Sequence, residues 1–201
     1  FYSKFASSPQ ANSPMQEHYF TDKHFDKLEQ LEIGEYDQCS FQNCNFSSFD
    51  FSNFSFNDCS FQGCNFSLAT FTKTAFRDSH FKDCKMLGLR FDSCNIFGLS
   101  FSFDTCQLDH SSFYKLKMKQ TQFKHCQLIA VDFTETDLSS AVFDHCNMDQ
   151  ATFDRSLLEK ADFRTAYQYT INPEHNRIKK AKFSATGLAG LLAHYDIEID
   201  T

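Results

Sequence analysis

The sequence predicts an all-β solenoid, a chain wound into a stack of short sides, and three observations lead there. Large apolar residues recur every five positions over most of the 201 residues. A smaller residue stands two positions before most of them. The composition is skewed to match, with 26 Phe, no Trp, 6 Gly and 3 Pro. A period of five suits neither an amphipathic helix, which repeats at about 3.6, nor a plain strand, which alternates at about 2. It suits one short side per repeat, with the recurring residue pointing inward and a turn after it. One structural position filled over and over also accounts for the skew.

The recurring residues are the centres of the repeats. They begin at Leu31 and Tyr36 and run every fifth residue from Phe41 to Phe101, with Met86 and Ile96 the two that are not aromatic. After a seven-residue step they resume at Leu108 and continue every fifth residue to Phe163. The residue two before each centre is mostly Cys, Ala, Ser or Thr, and all nine cysteines stand there. Residues two apart in a strand share a face, so both members of the pair point into the core. The polar residues between them face out. Phe49 and Phe54 break the small-residue rule, and a local widening of the coil is expected there. The seven-residue step predicts a two-residue insertion near 102–105, bulging outward between coils that stay continuous.

The stretch Cys39-Ser40-Phe41-Gln42-Asn43-Cys44-Asn45-Phe46-Ser47-Ser48 shows the motif twice and resembles the pentapeptide-repeat family. The resemblance covers about residues 31–166. It implies a right-handed quadrilateral parallel β-helix, four repeats to a coil, with stacked residues twenty apart. That spacing recurs inside the chain: Cys44, Cys64 and Cys84 are twenty apart, as are Cys106, Cys126 and Cys146, and the step between the two groups is twenty-two. One face is therefore expected to carry an inward ladder of six cysteines. With strands about 4.8 Å apart, some six and a half coils would rise roughly 30 Å.

Residues 1–16 are polar and aperiodic and are expected to be a disordered leader or a cloning remnant, with Met15 as the native start. Residues 17–166 form the β-helix, of which 17–35 are an N-terminal cap anchored by Tyr19, Phe20, Phe25, Leu28 and Ile33. Residues 167–201 form a capping and dimerisation segment. There Ser184 is a helix N-cap, and Leu188, Leu191, Leu192 and Tyr195 share one face of a short helix. Residues 196–200 alternate like a strand, adding Ile197 and Ile199. The end of a β-helix is a row of unpaired backbone groups, and a self-complementary apolar patch serves a symmetric homodimer.

The net charge is −7, of which −4 falls on residues 1–37, −3 on residues 38–166 and none on the rest. A basic footprint is missing, which argues against direct nucleic-acid binding. No apolar run reaches 18 residues, so no membrane span is expected. There is no signal-peptide pattern, and nine cysteines, an odd number, read as reduced thiols in the cytoplasm. Asp144, Asp149, Asp154 and Glu159 fall on successive sides and do not converge. No nucleophile elbow, phosphate loop or zinc motif occurs, so neither an enzyme nor a cofactor is expected. His125-Cys126 and His145-Cys146 look like metal-ligand pairs. Neighbours in a strand point to opposite faces, which turns the cysteines in and the histidines out and leaves no metal site. Buried as small hydrophobes, the cysteines should resist serine more than alanine. Lys115, Lys117 and Lys119 make an outward basic cluster. Leu68, Leu87 and Ile129, with Asp109 and Asp149, form a candidate partner-binding surface on the face of the cysteine ladder.

The segment Asn176-Arg177-Ile178-Lys179-Lys180-Ala181-Lys182-Phe183-Ser184 and the run Ser111-Ser112-Phe113-Tyr114 are similar to the albicidin-resistance protein. That protein and the quinolone-resistance (Qnr) proteins make up the topoisomerase-protecting branch of the family. The resemblance implies a cytoplasmic homodimer that binds DNA gyrase, with topoisomerase IV as a further target. As a rod resembling duplex DNA it would counteract inhibitors that trap the cleaved complex, in antibiotic resistance or immunity to a toxin. The long projecting loops of many Qnr proteins are absent here. The alternative is a scaffolding pentapeptide-repeat protein that binds another protein through a flat face.

Overall fold

The computed structural model describes residues 18–195, 197 and 198. The expectations for residues 1–16 and for Ile199 lie outside the described residues. The described residues form eleven short strands: β1 (His18–Thr21), β2 (His24–Asp26), β3 (Gly34–Asp37), β4 (Ser40–Gln42), β5 (Ser55–Asn57), β6 (Ser60–Gln62), β7 (Ala75–Arg77), β8 (Ser79–Lys82), β9 (Phe101–Asp104), β10 (Gln122–Lys124) and β11 (Val142–Asp144). All pair in parallel. One sheet has the order β1-β3-β5-β7, the other β2-β4-β6-β8-β9-β10-β11. The remaining two sides are held by single bridges, such as Asn45–Asn65–Lys85–Gln107–Gln127–Asn147 and Arg90–Ser112–Asp132–Thr152. The result is a right-handed four-sided parallel β-helix.

Twenty-residue stacking places like on like in the core. One column holds nine phenylalanines, from Phe25 through Phe41, Phe61 and onward to Phe183. Successive rings are 4.7–5.5 Å apart and within 15° of parallel. Offset-stacked rings at such distances gain beyond their buried area.

At most corners the residue two after the centre has φ between +45° and +69°; the corners at Ser93 and Thr165 are exceptions. Left-handed backbone is costly for residues other than Gly, Asn and Asp, yet Leu68, Lys73 and Ala130 adopt it. Bonds to the next coil hold them there; the Leu68 N–H, for example, donates to the Leu87 carbonyl at 2.9 Å.

The corners are of two kinds. In a closed corner the N–H three residues after the centre donates back to the centre's carbonyl, as from Ala69 to Phe66 at 2.9 Å. The nine corners that follow β3 to β11 lack this bond and are open. Eight of them are followed by a cysteine and one by Ser79. Each of these side chains lies 3.2–3.5 Å from the carbonyl two residues before it. Most also reach the carbonyl of a centre one coil back, as Cys59 Sγ does to Tyr36 at 3.3 Å. A thiol is a small hydrophobe with a weak donor, and here it finds an acceptor while filling the column. All nine cysteines are free and buried. Burial pushes the Cys59 thiol up to about 12.

The insertion lies elsewhere than the period predicts. Phe103, not Phe101, pairs with Phe81, and Phe101 pairs with Ser79 as the residue two before the centre. Ile96, expected inside, is 74% exposed, and Phe97 is 78% exposed. The extra residues therefore fall within 95–100, where a turn at Gly98 (φ +69°) lifts the chain outward. Phe101 fills the place that Ile96 vacates. The coils on either side are continuous through β8 and β9.

Phe49 and Phe54 leave the twenty-residue step and both adjoining turn bonds intact. Phe54 is buried, lying near-parallel to Phe56 and Tyr36. The N-terminal segment is no separate cap but a coil shortened by four residues: Phe20 stacks on Tyr36 and Phe25 on Phe41, sixteen residues on. Tyr19 and Ile33, expected as anchors, are 63% and 40% exposed.

Beyond residue 166 the coil continues. Tyr167, Arg177 and Lys182 bridge to the preceding turn, and Phe183 stacks on Phe163. Buried Asn176 replaces missing backbone bonds: its Nδ2 donates to the carbonyls of Phe153 and Asn172, and its Oδ1 accepts from the Ser156 N–H.

Candidate interaction surfaces

Outside the cysteine ladder the wall is an amide ladder. Asn65 Nδ2 donates to Asn45 Oδ1 and Asn147 Nδ2 to Gln127 Oε1, both at 3.1 Å. Lys85 is the one charged member of that bridge row. Along its edge Leu87, Asp109, Ile129 and Asp149 follow one another coil by coil, half-buried, with Leu68 beside Leu87 and 67% exposed. The structure thus brings the five residues of the candidate partner surface to one edge. Asp109 is partly engaged, its Oδ1 accepting from the Ile129 N–H at 3.0 Å. The six ladder cysteines, Cys44, Cys64, Cys84, Cys106, Cys126 and Cys146, lie directly behind and offer nothing to solvent.

The C-terminal residues do not form one helix with one apolar face. A 3-10 turn (Ala185–Gly187), the four-residue helix α1 (Ala189–Leu192) and a second 3-10 turn (Ala193–Tyr195) succeed each other. Ser184 caps the first, its Oγ accepting from the Gly187 N–H at 3.1 Å. The segment lies tight on Tyr169: a side chain at Gly187 would run into the Tyr169 hydroxyl, and one at Gly190 into the Tyr169 carbonyl. Leu191 is buried in the molecule's own core, and Leu192 is half-buried. Leu188, Tyr195 and Ile197 are about half exposed, at 48%, 47% and 54%. Ile197 and Glu198 are in no strand.

The charged side chains pair locally. Lys115 meets Glu135 at 3.5 Å and Lys119 meets Asp137 at 3.4 Å, which neutralises much of the basic cluster. Asp154 pairs with Arg155 and His175. Asp144, Asp149, Asp154 and Glu159 stay apart on successive sides.

Two features escaped the sequence. One is the exposed apolar tip Ile96-Phe97, hidden because Ile96 satisfies the period. The other is a cluster of His125, Asp144 and His145, whose signal was the twenty-residue spacing of the histidines. Their ring centroids are 5.1 Å apart, and Asp144 Oδ1 accepts from His145 Nδ1 at 2.8 Å and from Thr165 Oγ1 at 3.0 Å. The Thr165 hydroxyl first, and His145 second, hold the Asp144 carboxyl below the usual carboxylate range.

A stack of this kind, with an apolar core and a patterned wall, defines a solenoid that presents extended surfaces. The family model for the pentapeptide repeat region matches residues 35–113 and 89–163, and the chain belongs to the pentapeptide-repeat family. No curated protein matches. Among solved structures, the chain is similar to full-length QnrB1, a plasmid-mediated fluoroquinolone resistance protein, with a TM-score of 0.51 and 15% identity over 89% of this chain and 97% of that one. It is also similar to HetL, a pentapeptide-repeat protein involved in heterocyst differentiation regulation from the cyanobacterium Nostoc, with a TM-score of 0.50 and 16% identity over 85% and 86% of the two chains. Among the described residues no helix is long and apolar enough to cross a membrane.

Proposed function

We propose that this chain is a cytoplasmic, non-enzymatic protein that docks as a rod on DNA gyrase, with topoisomerase IV as a further target, and protects it from inhibitors that trap the cleaved complex. The observation that supports this best is the unbroken stack: one aromatic column runs from Phe25 to Phe183, and a fluoroquinolone resistance protein has the same fold along 97% of its length. The surplus of acid in the first coils, among them Asp22, Asp26, Glu35 and Asp37, adds a surface suited to an enzyme that binds DNA. The test is a gyrase supercoiling assay with a fluoroquinolone, with and without the protein, plus binding measured against salt. Protection and steep weakening with salt support the reading. No binding at low salt would remove it.

The dimer belongs to the same proposal, through the C-terminal end. Leu188, Tyr195 and Ile197 offer exposed apolar surface there, whereas Leu191 serves the cap. Leu188→Asp combined with Ile197→Asp should therefore give a folded monomer by sedimentation. A wild type that is monomeric at micromolar concentration would overturn the dimer.

A second reading is a scaffold that binds another protein through a flat face. The nearly uncharged amide ladder with its Leu68, Leu87 and Ile129 edge favours it, since charge is depleted at the centres of protein interfaces. Under that reading Leu68→Lys with Ile129→Lys would abolish partner binding and leave any gyrase protection unchanged.

A further inference from the structure

The sequence divides the dipeptides His125-Cys126 and His145-Cys146 across the wall, thiols in and imidazoles out, and the structure does the same. Cys126 Sγ donates to the Lys124 carbonyl and Cys146 Sγ to those of Phe123 and Asp144. The histidines occupy the same open corner of successive coils, with φ +51° and +53°. Identical backbone aims their side chains the same way, one above the other. Asp144, the last residue of β11, turns its carboxylate toward the same corner.

One ligand atom from each of His125, Asp144 and His145 lies within 4.8 Å of the other two, and no other group of three such side chains does so among the described residues. We propose that this corner is a binding site for a divalent transition metal ion, zinc in the first instance. Two imidazoles and one carboxylate suit zinc rather than the all-oxygen preference of calcium or magnesium. Metal–ligand bonds of about 2.0–2.2 Å put tetrahedral ligand atoms roughly 3.3–3.6 Å apart, so the widest pair must close by up to about 1.5 Å. The two imidazoles are exposed and the carboxylate half-buried, so small side-chain rotations suffice. The arrangement holds the carboxylate in advance: Thr165 Oγ1 donates to Asp144 Oδ1 at 3.0 Å and itself accepts the His145 N–H at 3.0 Å. Hydrogen-bonded supports of this kind orient ligands and raise affinity.

Among the described residues no lysine or arginine lies within ion-pair distance of Asp144. Arg164 is committed to Asp162 through bonds of 2.8 and 3.0 Å. Lys124, in register with Asp144 across β10 and β11, forms no ion pair with it. The bound ion would clip two successive coils together at a corner that lacks its own turn bond. Three protein ligands leave a position open to water or to a side chain of a partner protein.

The site is tested on the whole chain, reduced and without a polyhistidine tag, by calorimetric titration with zinc chloride and by NMR of the histidine ring protons. Titration of the folded state is needed because zinc also binds thiols that unfolding exposes, which would blur a thermal shift. The expected result is one saturable site, with the His125 and His145 resonances moving first. His125→Ala and His145→Ala should each weaken binding tenfold or more, as should Asp144→Asn, while His110→Ala leaves it unchanged. Binding that persists in the His125→Ala, His145→Ala double variant would overturn the proposal, as would no saturable heat in the wild type.

Discussion

The coils before the insertion and those after it are built to different plans. From Tyr36 to Phe81 all four columns are aromatic, and rings of adjacent columns meet edge to face, as Phe56 and Phe61 do at 5.3 Å. After the insertion phenylalanine keeps only two opposite columns, as in Phe123 and Phe133, while Leu128 and Leu138 fill the others. The corners change with the cores. On the two strand-bearing sides the early coils have two open corners each, whereas the later ones keep the corner after Phe103, Phe123 and Phe143; after Met86 and Phe153 the turn bond is replaced by one to the side chain of Ser111 or Asn176. The side that switches is the one carrying β1, β3, β5 and β7. Its ladder ends at β7, and its later corners are closed by turn bonds such as Ala141 N–H to Leu138 at 2.9 Å. The insertion at 95–100 stands on that side, between the two regimes. Twenty residues can therefore enclose different volumes. On this side the open corners follow rings, as after Phe56 and Phe76, and the closed ones follow Met118, Leu138 and Leu158, with Thr or Ala behind them; on the other sides closed corners also follow rings, as after Phe66.

Phe56→Ala should cost about 3–5 kcal/mol in chemical denaturation, the usual cost of removing a buried ring. A loss below about 1 kcal/mol would mean that the early core collapses around the gap and is not held open by its corners. Next, Leu138→Phe places a ring on the same side after the switch. Overpacking of a closed coil should cost about 1–3 kcal/mol. A neutral result would sever the link between corner type and core volume.

Cysteine substitutions probe the open corners more gently. Ser79 already shows a hydroxyl in the thiol's place, bonded to the Phe56 and Arg77 carbonyls. We therefore expect Cys126→Ser to cost less than about 1 kcal/mol and Cys126→Ala to cost more, through the void it leaves. This reverses the order expected from a purely apolar ladder, because the carbonyl acceptors are invisible in the sequence. A serine variant less stable than the alanine one would restore the apolar account. The smallest effect should come from Ile96→Ser with Phe97→Ser. Both side chains face water, so stability should change by no more than about 0.5 kcal/mol. A large loss would place Ile96 back in the core and the insertion back at 102–105.

The dimer and metal proposals rest on smaller signals. The proposed interface was readable as a set of leucines but not as a face: the three short helical pieces bury Leu191 and leave Leu188 and Tyr195 about half exposed. The histidine pair was readable as an outward couple. Its meeting with Asp144 depends on side-chain direction at a left-handed corner, which no linear pattern encodes.

The five-residue period alone carries the solenoid and the inward place of every cysteine, and the spacing of the cysteines bears out the twenty-residue step that the family resemblance implies. Each core position is filled by one residue per repeat, so burial writes itself directly into the period. It could not choose between Phe101 and Phe103, since Phe-Ser-Phe satisfies the inward face in either register. The pairing of β9 with β8 decided that, because only one register lines up the backbone bonds of Ser79–Lys82 with their partners. Tertiary structure likewise decided that the coil runs past residue 166. There Asn176 supplies hydrogen bonds from its side chain that the missing repeat would have made through its backbone, and hydrogen bonds between coils leave no trace in a pattern of apolar residues.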